Sequence, residues 1–187
     1  HLWLKRLNMF FPGLVVEFGV FEGGTIKFIA DAINPRIIYG FDWFRGLPED
    51  WEGDNGKGKF DLNGICPAMP ENVVIVKGLV ADTVSPFFDR QFKSIAFAHM
   101  DLDMYEPTAV VLSAIAPYVV DGTILNFNEF FNYPTYQDHE FKAFCSFLKY
   151  TGFSYEVIGK VNTSHGQAAF RIQNRGLPGP SLHRKQW

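Results

Sequence analysis

The chain has 187 residues, 47% hydrophobic and 20% charged, with 20 phenylalanines and a formal charge of −3. This is the length of about one domain; its apolar content excludes intrinsic disorder, and two isolated cysteines, Cys66 and Cys145, exclude a disulfide framework or a Cys/His zinc site. The mild acidity argues against a nucleic-acid partner, which would need a basic face, and the longest apolar stretch, Ala109 to Val120, is too short to span a bilayer.

The first residues, HLWLKR, place charge after the apolar positions and have no small-residue cleavage site, so they do not read as a signal peptide. A cytoplasmic protein with buried, reduced thiols is expected. Leu14 to Phe18 is a β-rich run ending at glycine. Gly24 to Ile33 follows with helical spacing of Ile26, Phe28, Ile29 and Ile33. Ile37 to Phe41, Val73 to Val76 and Ser94 to Met100 are further strand-like runs. Pro107 to Val120 reads as a helix with proline in its first turn, where the missing N–H costs little. A fifth strand-like run spans Gly122 to Phe127, and a second clear helix spans His139 to Tyr150 with Phe141, Phe144, Cys145 and Leu148 on one face. Tyr155 to Ile158 and Ala168 to Ile172 are short strands with no helix between them, which predicts an antiparallel edge pair.

Alternating strands and helices predict an α/β fold, doubly wound around a mostly parallel sheet. Residues 1–176 are expected to form one domain, with an internal polar, glycine-rich loop at about 45–70 acting as a lid. Residues 177–187 are expected to be an irregular tail in which His183, Arg184 and Lys185 are solvated.

In such a sheet, ligands bind beyond the carboxyl ends of the strands, at the switch in strand order. Those ends carry Glu17-Phe-Gly19 with Gly23 and Thr25, then Asp42-Trp43, Lys77-Gly78-Leu79, His99-Met-Asp101-Leu-Asp103, and Asn126-Phe-Asn128-Glu129. Gly19 and Gly23 permit a tight turn and close backbone approach. Asp42, about 20 residues beyond that turn, suits a pair of ribose hydroxyls. Each feature also has a plain structural reading. The glycines can simply close a turn, Asp42 can cap a helix, Asp101 and Asp103 can be loop acids, and His99 suits a satisfied core position. Two acids two apart on an extended segment point in opposite directions. Phe18, Phe28, Phe97, Phe144 and Phe170 are expected in the core. Phe44, Phe127, Phe130 and Phe131 are expected beside the site, with Tyr133 and Tyr136 near an acceptor.

The ordered combination resembles a known family. Val16-Glu-Phe-Gly-Val-Phe-Glu-Gly-Gly24, Tyr39 to Trp51 with its G-F-D-x-F-x-G-L-P stretch, Lys77-Gly78 with Asp82-Thr83, Met100 to Thr108 with D-x-D-x-Y-x-x-T, and Gly122 to Tyr133 followed by Glu140 together cover nearly the whole chain. They resemble the class I S-adenosylmethionine-dependent methyltransferases, specifically the macrocin O-methyltransferase-like family. The resemblance implies a seven-stranded Rossmann-like sheet with an antiparallel last strand. It implies that Glu17 and Gly19 lie against the methionine part of S-adenosylmethionine, that Asp42 holds the ribose, and that Gly78 and Leu79 flank the adenine. Phe21, Gly23, Thr25, Trp43 and Asp101 complete the implied cofactor set.

It further implies magnesium held by Asp101, Asn128 and Glu129, with Asp103 as general base and Asp101 beside it in catalysis. One departure is visible: the family usually has aspartate where this chain has Asn128, which removes one negative charge from the metal site. The implied reaction is O-methylation of a hydroxylated small molecule of the sugar or natural-product type, with no membrane partner; a homo-oligomer is left open. Two other readings compete. One is a methyltransferase-fold protein that binds the cofactor with little chemistry. The other is a dinucleotide-dependent oxidoreductase, which Glu17 disfavours by occupying the first glycine position of the pyrophosphate turn.

Overall fold

The computed structural model describes residues 12–173. The expectations for the N-terminal residues and for the tail at 177–187 lie outside these. Seven strands form one sheet in the order β3-β2-β1-β4-β5-β7-β6. They are β1 (Leu14–Phe18), β2 (Ile38–Asp42), β3 (Val73–Lys77), β4 (Ile95–Met100), β5 (Ile124–Phe131), β6 (Ser154–Val161) and β7 (Gly166–Gln173). The first five run parallel, while β7 pairs antiparallel with both β5 and β6. The order reverses between β1 and β4, so the switch point lies at their carboxyl ends. The predicted antiparallel pair is present, with β6 at the edge.

β1 and β4 are buried at every position, as central strands covered on both faces must be. Alternate residues of β1 feed two cores. Val15 joins Ile26, Ile29, Ala30, Ile33, Ile38 and Phe97 under helix α1 (Gly24–Ile33). Leu14, Val16 and Phe18 join Phe41, Phe88, Leu112, Phe127, Phe144 and Phe170 on the other face. That face is covered by α2 (Val80–Gln91), α3 (Tyr105–Ile115) and α4 (Glu140–Thr151). Fully burying one phenylalanine is worth roughly 1.5–3 kcal/mol, and ring pairs such as Phe144–Phe170 at 4.6 Å add about 0.5–1.5 kcal/mol.

Several sequence expectations change here. The α2 helix was not anticipated, because Pro86 lies inside it and only Val84 and Phe88, one turn apart, are buried. The α3 helix begins earlier than expected, with Pro107 in its first turn, and gives way at Ala116 to a 3₁₀ turn containing Pro117. Phe28 is 47% exposed rather than core. The buried stripe of α1 is Ile26, Ile29, Ala30 and Ile33, and Phe28 lies two residues, or about 200°, from its start. The same offset corrects Cys145. The buried face of α4 is Glu140, Ala143, Phe144 and Phe147, so Cys145 is exposed, as is Cys66. Among the described residues no helix is long and apolar enough to cross a membrane.

Candidate active site

The strand ends meet at the switch point. β1 ends at Phe18, and the chain turns at Gly19 with φ +85°. The Gly19 N–H donates to the Phe41 carbonyl at 2.9 Å, and the Asp101 N–H donates to the Phe18 carbonyl at 2.9 Å. A Cβ at Gly19 would lie 1.8 Å from the Asp101 carbonyl oxygen. Only glycine lets the β1 and β4 ends approach this closely.

Asp42 closes β2 and holds the turn from the other side. Its Oδ2 accepts the Val20 and Phe21 N–H groups, each at 2.8 Å, and its Oδ1 accepts the Phe44 N–H at 2.6 Å. These occupy three of about four lone-pair directions of the carboxylate. Asp42 therefore organises the glycine turn first and keeps one direction for a ligand.

A cavity of about 340 Å³ opens above these ends. Of the expected residues, Gly19, Phe21, Asp42, Trp43, Gly78, Leu79, Asp101, Asp103, Asn128 and Glu129 line it. Glu17, Gly23 and Thr25 do not. Glu17 is buried at 1% exposure and accepts a hydrogen bond from the Ile26 backbone, which ties the start of α1 to β1; its Oε2 has no hydrogen-bond partner. Gly23 precedes α1 in the left-handed region, and Thr25 is exposed on that helix. Asp101 and Asp103 were expected to diverge, yet both line the cavity. Asp103 has φ +62°, so the strand alternation that would separate them ends before it.

The cavity is rich in carboxyl groups whose charged forms are disfavoured. Burial, then the neighbouring Asp103 and Glu129, push the Asp101 carboxyl well above the ordinary range. Burial raises Asp103 to about 6, and burial with Asp103 and Glu52 raises Glu129 to about 8. His99 is buried beneath them. Its Nδ1 lies 2.7 Å from Asn126 Nδ2 and acts as the acceptor, so its Nε2 carries the proton and faces Asp101 Oδ2 at 4.0 Å. Burial lowers its pKa to about 4, and it is neutral. The reading of a core histidine fits this placement.

The aromatic assignment is reversed for part of the set. Phe44, Phe127 and Phe130 are core residues: Phe127 and Phe130 pack on Phe144 of α4, and Phe44 packs in the core under α1. Phe131 is half-buried under Lys160 Nζ, 4.6 Å from its ring centre. The rings that line the cavity are Phe21, Phe41, Trp43, Trp51 and Phe60. Trp51 and Phe60 belong to the long loop between β2 and β3. That loop folds on itself through Leu47 N to Lys59 O at 2.8 Å and an Arg45–Asp61 bridge. It reaches the segment after β5 through Thr135 Oγ1, which donates to Glu52 Oε2 at 2.8 Å. Trp51 packs against Tyr133, His139 and His165 at 6.2, 6.3 and 5.8 Å between ring centres.

Glu140 was read only as part of a motif, and the structure gives it a distinct position. It is fully buried, and its Oε1 accepts the Leu102 N–H at 3.2 Å while its Oε2 accepts the Glu129 N–H at 3.1 Å. One side chain thus joins the loop after β4 to the end of β5. The available signal was an acid on the apolar stripe of α4, where an unpaired carboxylate would be costly.

The implied magnesium set is less well matched. Asn128 Oδ1, the only atom of that side chain suited to a hard cation, accepts a hydrogen bond from Gln167 Nε2. Asn128 Nδ2 is turned inward and donates to Glu129 Oε1 at 3.2 Å. Asp101, Asn128 and Glu129 therefore do not turn three oxygens on one point. Among the described residues, no group of three or more His, Cys, Asp or Glu side chains is arranged to hold a metal ion.

No protein-family model matches the chain, and no curated protein matches it by sequence. Solved structures do. The calicheamicin methyltransferase CalS11 is 27% identical at a TM-score of 0.67, covering 91% of this chain and 75% of that one. A second CalS11 structure, described as the apo form of a TDP-rhamnose 3'-O-methyltransferase, is 29% identical at a TM-score of 0.61, covering 90% and 76%. The O-methyltransferase NovP shares the fold at 19% identity and a TM-score of 0.61, covering 92% and 80%. An rRNA methylase from Streptococcus thermophilus shares it at 14% identity and a TM-score of 0.51, covering 93% and 96%. The last match corrects the exclusion of nucleic acid as a partner. A chain of this fold is found in an rRNA methylase, so mild acidity alone does not exclude a nucleic-acid partner.

Proposed function

We propose that this chain, a class I S-adenosylmethionine-dependent methyltransferase, methylates a hydroxyl of a small molecule of the sugar or natural-product type. The observation that carries this reading is the cavity at the β1–β4 switch point, floored by Gly19 and walled by Asp42, Asp101, Asp103 and Glu129. The likeness to CalS11 supports the acceptor class.

The residues fit the cofactor chemically. The carboxyl groups of Asp101 in the cavity wall and of Glu17 buried beneath the floor, each held above its ordinary pKa by burial and by like charge, favour a ligand that brings positive charge. S-adenosylmethionine, when bound, supplies a sulfonium-activated methyl group. We assign Gly19 and Phe21 to its methionine end, Asp42 to the ribose through its remaining lone pair, and Gly78, Leu79 and Trp43 to the adenine. Asp103 accepts the acceptor hydroxyl's proton. Burial brings its pKa to about 6, which makes it a better base than an ordinary aspartate while leaving it mostly ionised at neutral pH. The oxygen forms its bond to the methyl carbon as the carbon–sulfur bond breaks, and the electron pair stays on sulfur. The loop carrying Trp51 covers the cavity and keeps water from competing. No step is routed through a metal, because the side chains implied as ligands do not present a ligand set.

Calorimetric titration with S-adenosylhomocysteine tests the cofactor half, and absence of heat overturns it. For the acceptor half, nucleotide-linked sugars and glycosylated natural products are incubated with S-adenosylmethionine and read by mass spectrometry. A methylated product from an RNA acceptor alone, with none from the sugars, would overturn the small-molecule reading.

A further inference from the structure

Asp101 and Glu129 line the same cavity on either side of Asn128, and two carboxyl groups that share a site are eased by a positive or donating group between them. Asn128 supplies one. Its amide nitrogen donates to Glu129 Oε1 at 3.2 Å, and a side-chain hydrogen bond from Asn128 also works against the rise at Asp101. An amide nitrogen has two hydrogens: one goes to Glu129 Oε1, and the other is available to Asp101.

The direction of that amide is set from the other side. In the β5–β7 ladder, Phe127 faces Ala168 and Phe131 faces Gly166. Between those pairs three β5 residues, 128–130, oppose the single residue Gln167, which makes a bulge. The bulge brings Gln167 Nε2 onto Asn128 Oδ1. With Gln167 as placed, turning the Asn128 amide over would set donor against donor there and oxygen against the Glu129 carboxylate.

We propose that Asn128, oriented by Gln167, takes the place of a divalent cation as the bridge between Asp101 and Glu129, and that this cavity holds its acid pair without metal. The inference deepens the methyl-transfer reading of the same cavity and rests on it. Gln167 becomes a positioning residue that nothing in the motif pattern singled out.

Mn²⁺ serves as the probe, followed by electron paramagnetic resonance or water relaxation, on the wild-type chain, on Asn128→Asp and on Gln167→Glu. Wild type is expected to leave Mn²⁺ free. Asn128→Asp restores a carboxylate at the bridge and is expected to bind it at least about tenfold more tightly, since ligand charge count governs affinity at such sites. Gln167→Glu places an acceptor against Asn128 Oδ1, turns the amide over, and is expected to gain binding without any change at position 128. Two results overturn the proposal: Mn²⁺ binding to wild type as tight as to Asn128→Asp, or no binding to either variant. S-adenosylhomocysteine titration of the same three samples reports whether each is folded. It also separates the outcomes, because loss of that heat in wild type strikes the methyl-transfer reading, while the Mn²⁺ result judges the bridge.

Discussion

At Gly19 the cavity floor leaves no room for a side chain. The Asp101 carbonyl lies where a Cβ would go, and φ is +85°. Gly19→Ala is expected to cost about 3 kcal/mol or more and to abolish S-adenosylhomocysteine binding; denaturant unfolding and calorimetry check the two effects. His99 makes a prediction in pH. Burial depresses its folded pKa to about 4 from an unfolded value near 6.5, so the unfolded chain binds the extra proton between those values. Its contribution to stability is complete above the unfolded pKa and is lost as pH falls through the folded one, at up to about 1.4 kcal/mol per pH unit. The carboxylates around it titrate too, so the quantity to measure is the difference between wild type and His99→Gln. That difference should be small and flat above about pH 7 and should move steadily in the variant's favour toward pH 4.

Among the elements, α4 and β5 carry the most consequential joint. Glu140 is the first residue of α4, and it holds Leu102 after β4 and Glu129 on β5 through one carboxylate. Glu140→Ala leaves two buried N–H groups without acceptors, which should destabilise the fold by about 2–4 kcal/mol. Glu140→Gln keeps one acceptor and should cost roughly half as much. Chemical denaturation orders the two variants, and an alanine variant no less stable than glutamine would show that the joint is idle. The strands and most helices were legible in the sequence because their apolar periods are strong. The α2 helix was not, since Pro86 and a short buried stripe of Val84 and Phe88 dilute its period. Cys145 and Phe28 were misplaced for the opposite reason. Each sits beside a true stripe, and one-letter hydrophobicity does not resolve a 100° step around a helix.

On the scale of the whole molecule, the loop between β2 and β3 supplies Trp51 and Phe60 to the cavity wall. It is tied across the site by Trp51 and by Glu52 with Thr135. Ligand binding should therefore stabilise the folded chain and protect the loop together. At a hundredfold excess over its dissociation constant, S-adenosylhomocysteine should add about 2.7 kcal/mol, or roughly 5–10 °C in melting temperature for a chain of this size. Limited trypsin digestion should cut at Arg45, Lys57 or Lys59 more slowly with ligand than without. Trp51→Ala should remove that protection while leaving the melting temperature of the free protein little changed. Unaltered cleavage in the variant would mean that the loop is held by other contacts.

The sequence by itself determined the sheet class, the antiparallel edge pair and the residues at the strand ends. Those depend on short periods and on local residue types such as Gly19, Asp42 and Asp101. Tertiary structure alone decided which of those residues share the cavity and which lie beneath it. It placed Glu17 under the floor, turned Asp103 into the cavity with Asp101, and moved Phe127 and Phe130 into the core. It also set Gln167 against Asn128. These outcomes depend on one backbone torsion, one bulge and the packing of distant segments. Such terms are fixed by contacts between residues far apart in the chain, and no local window of sequence contains them.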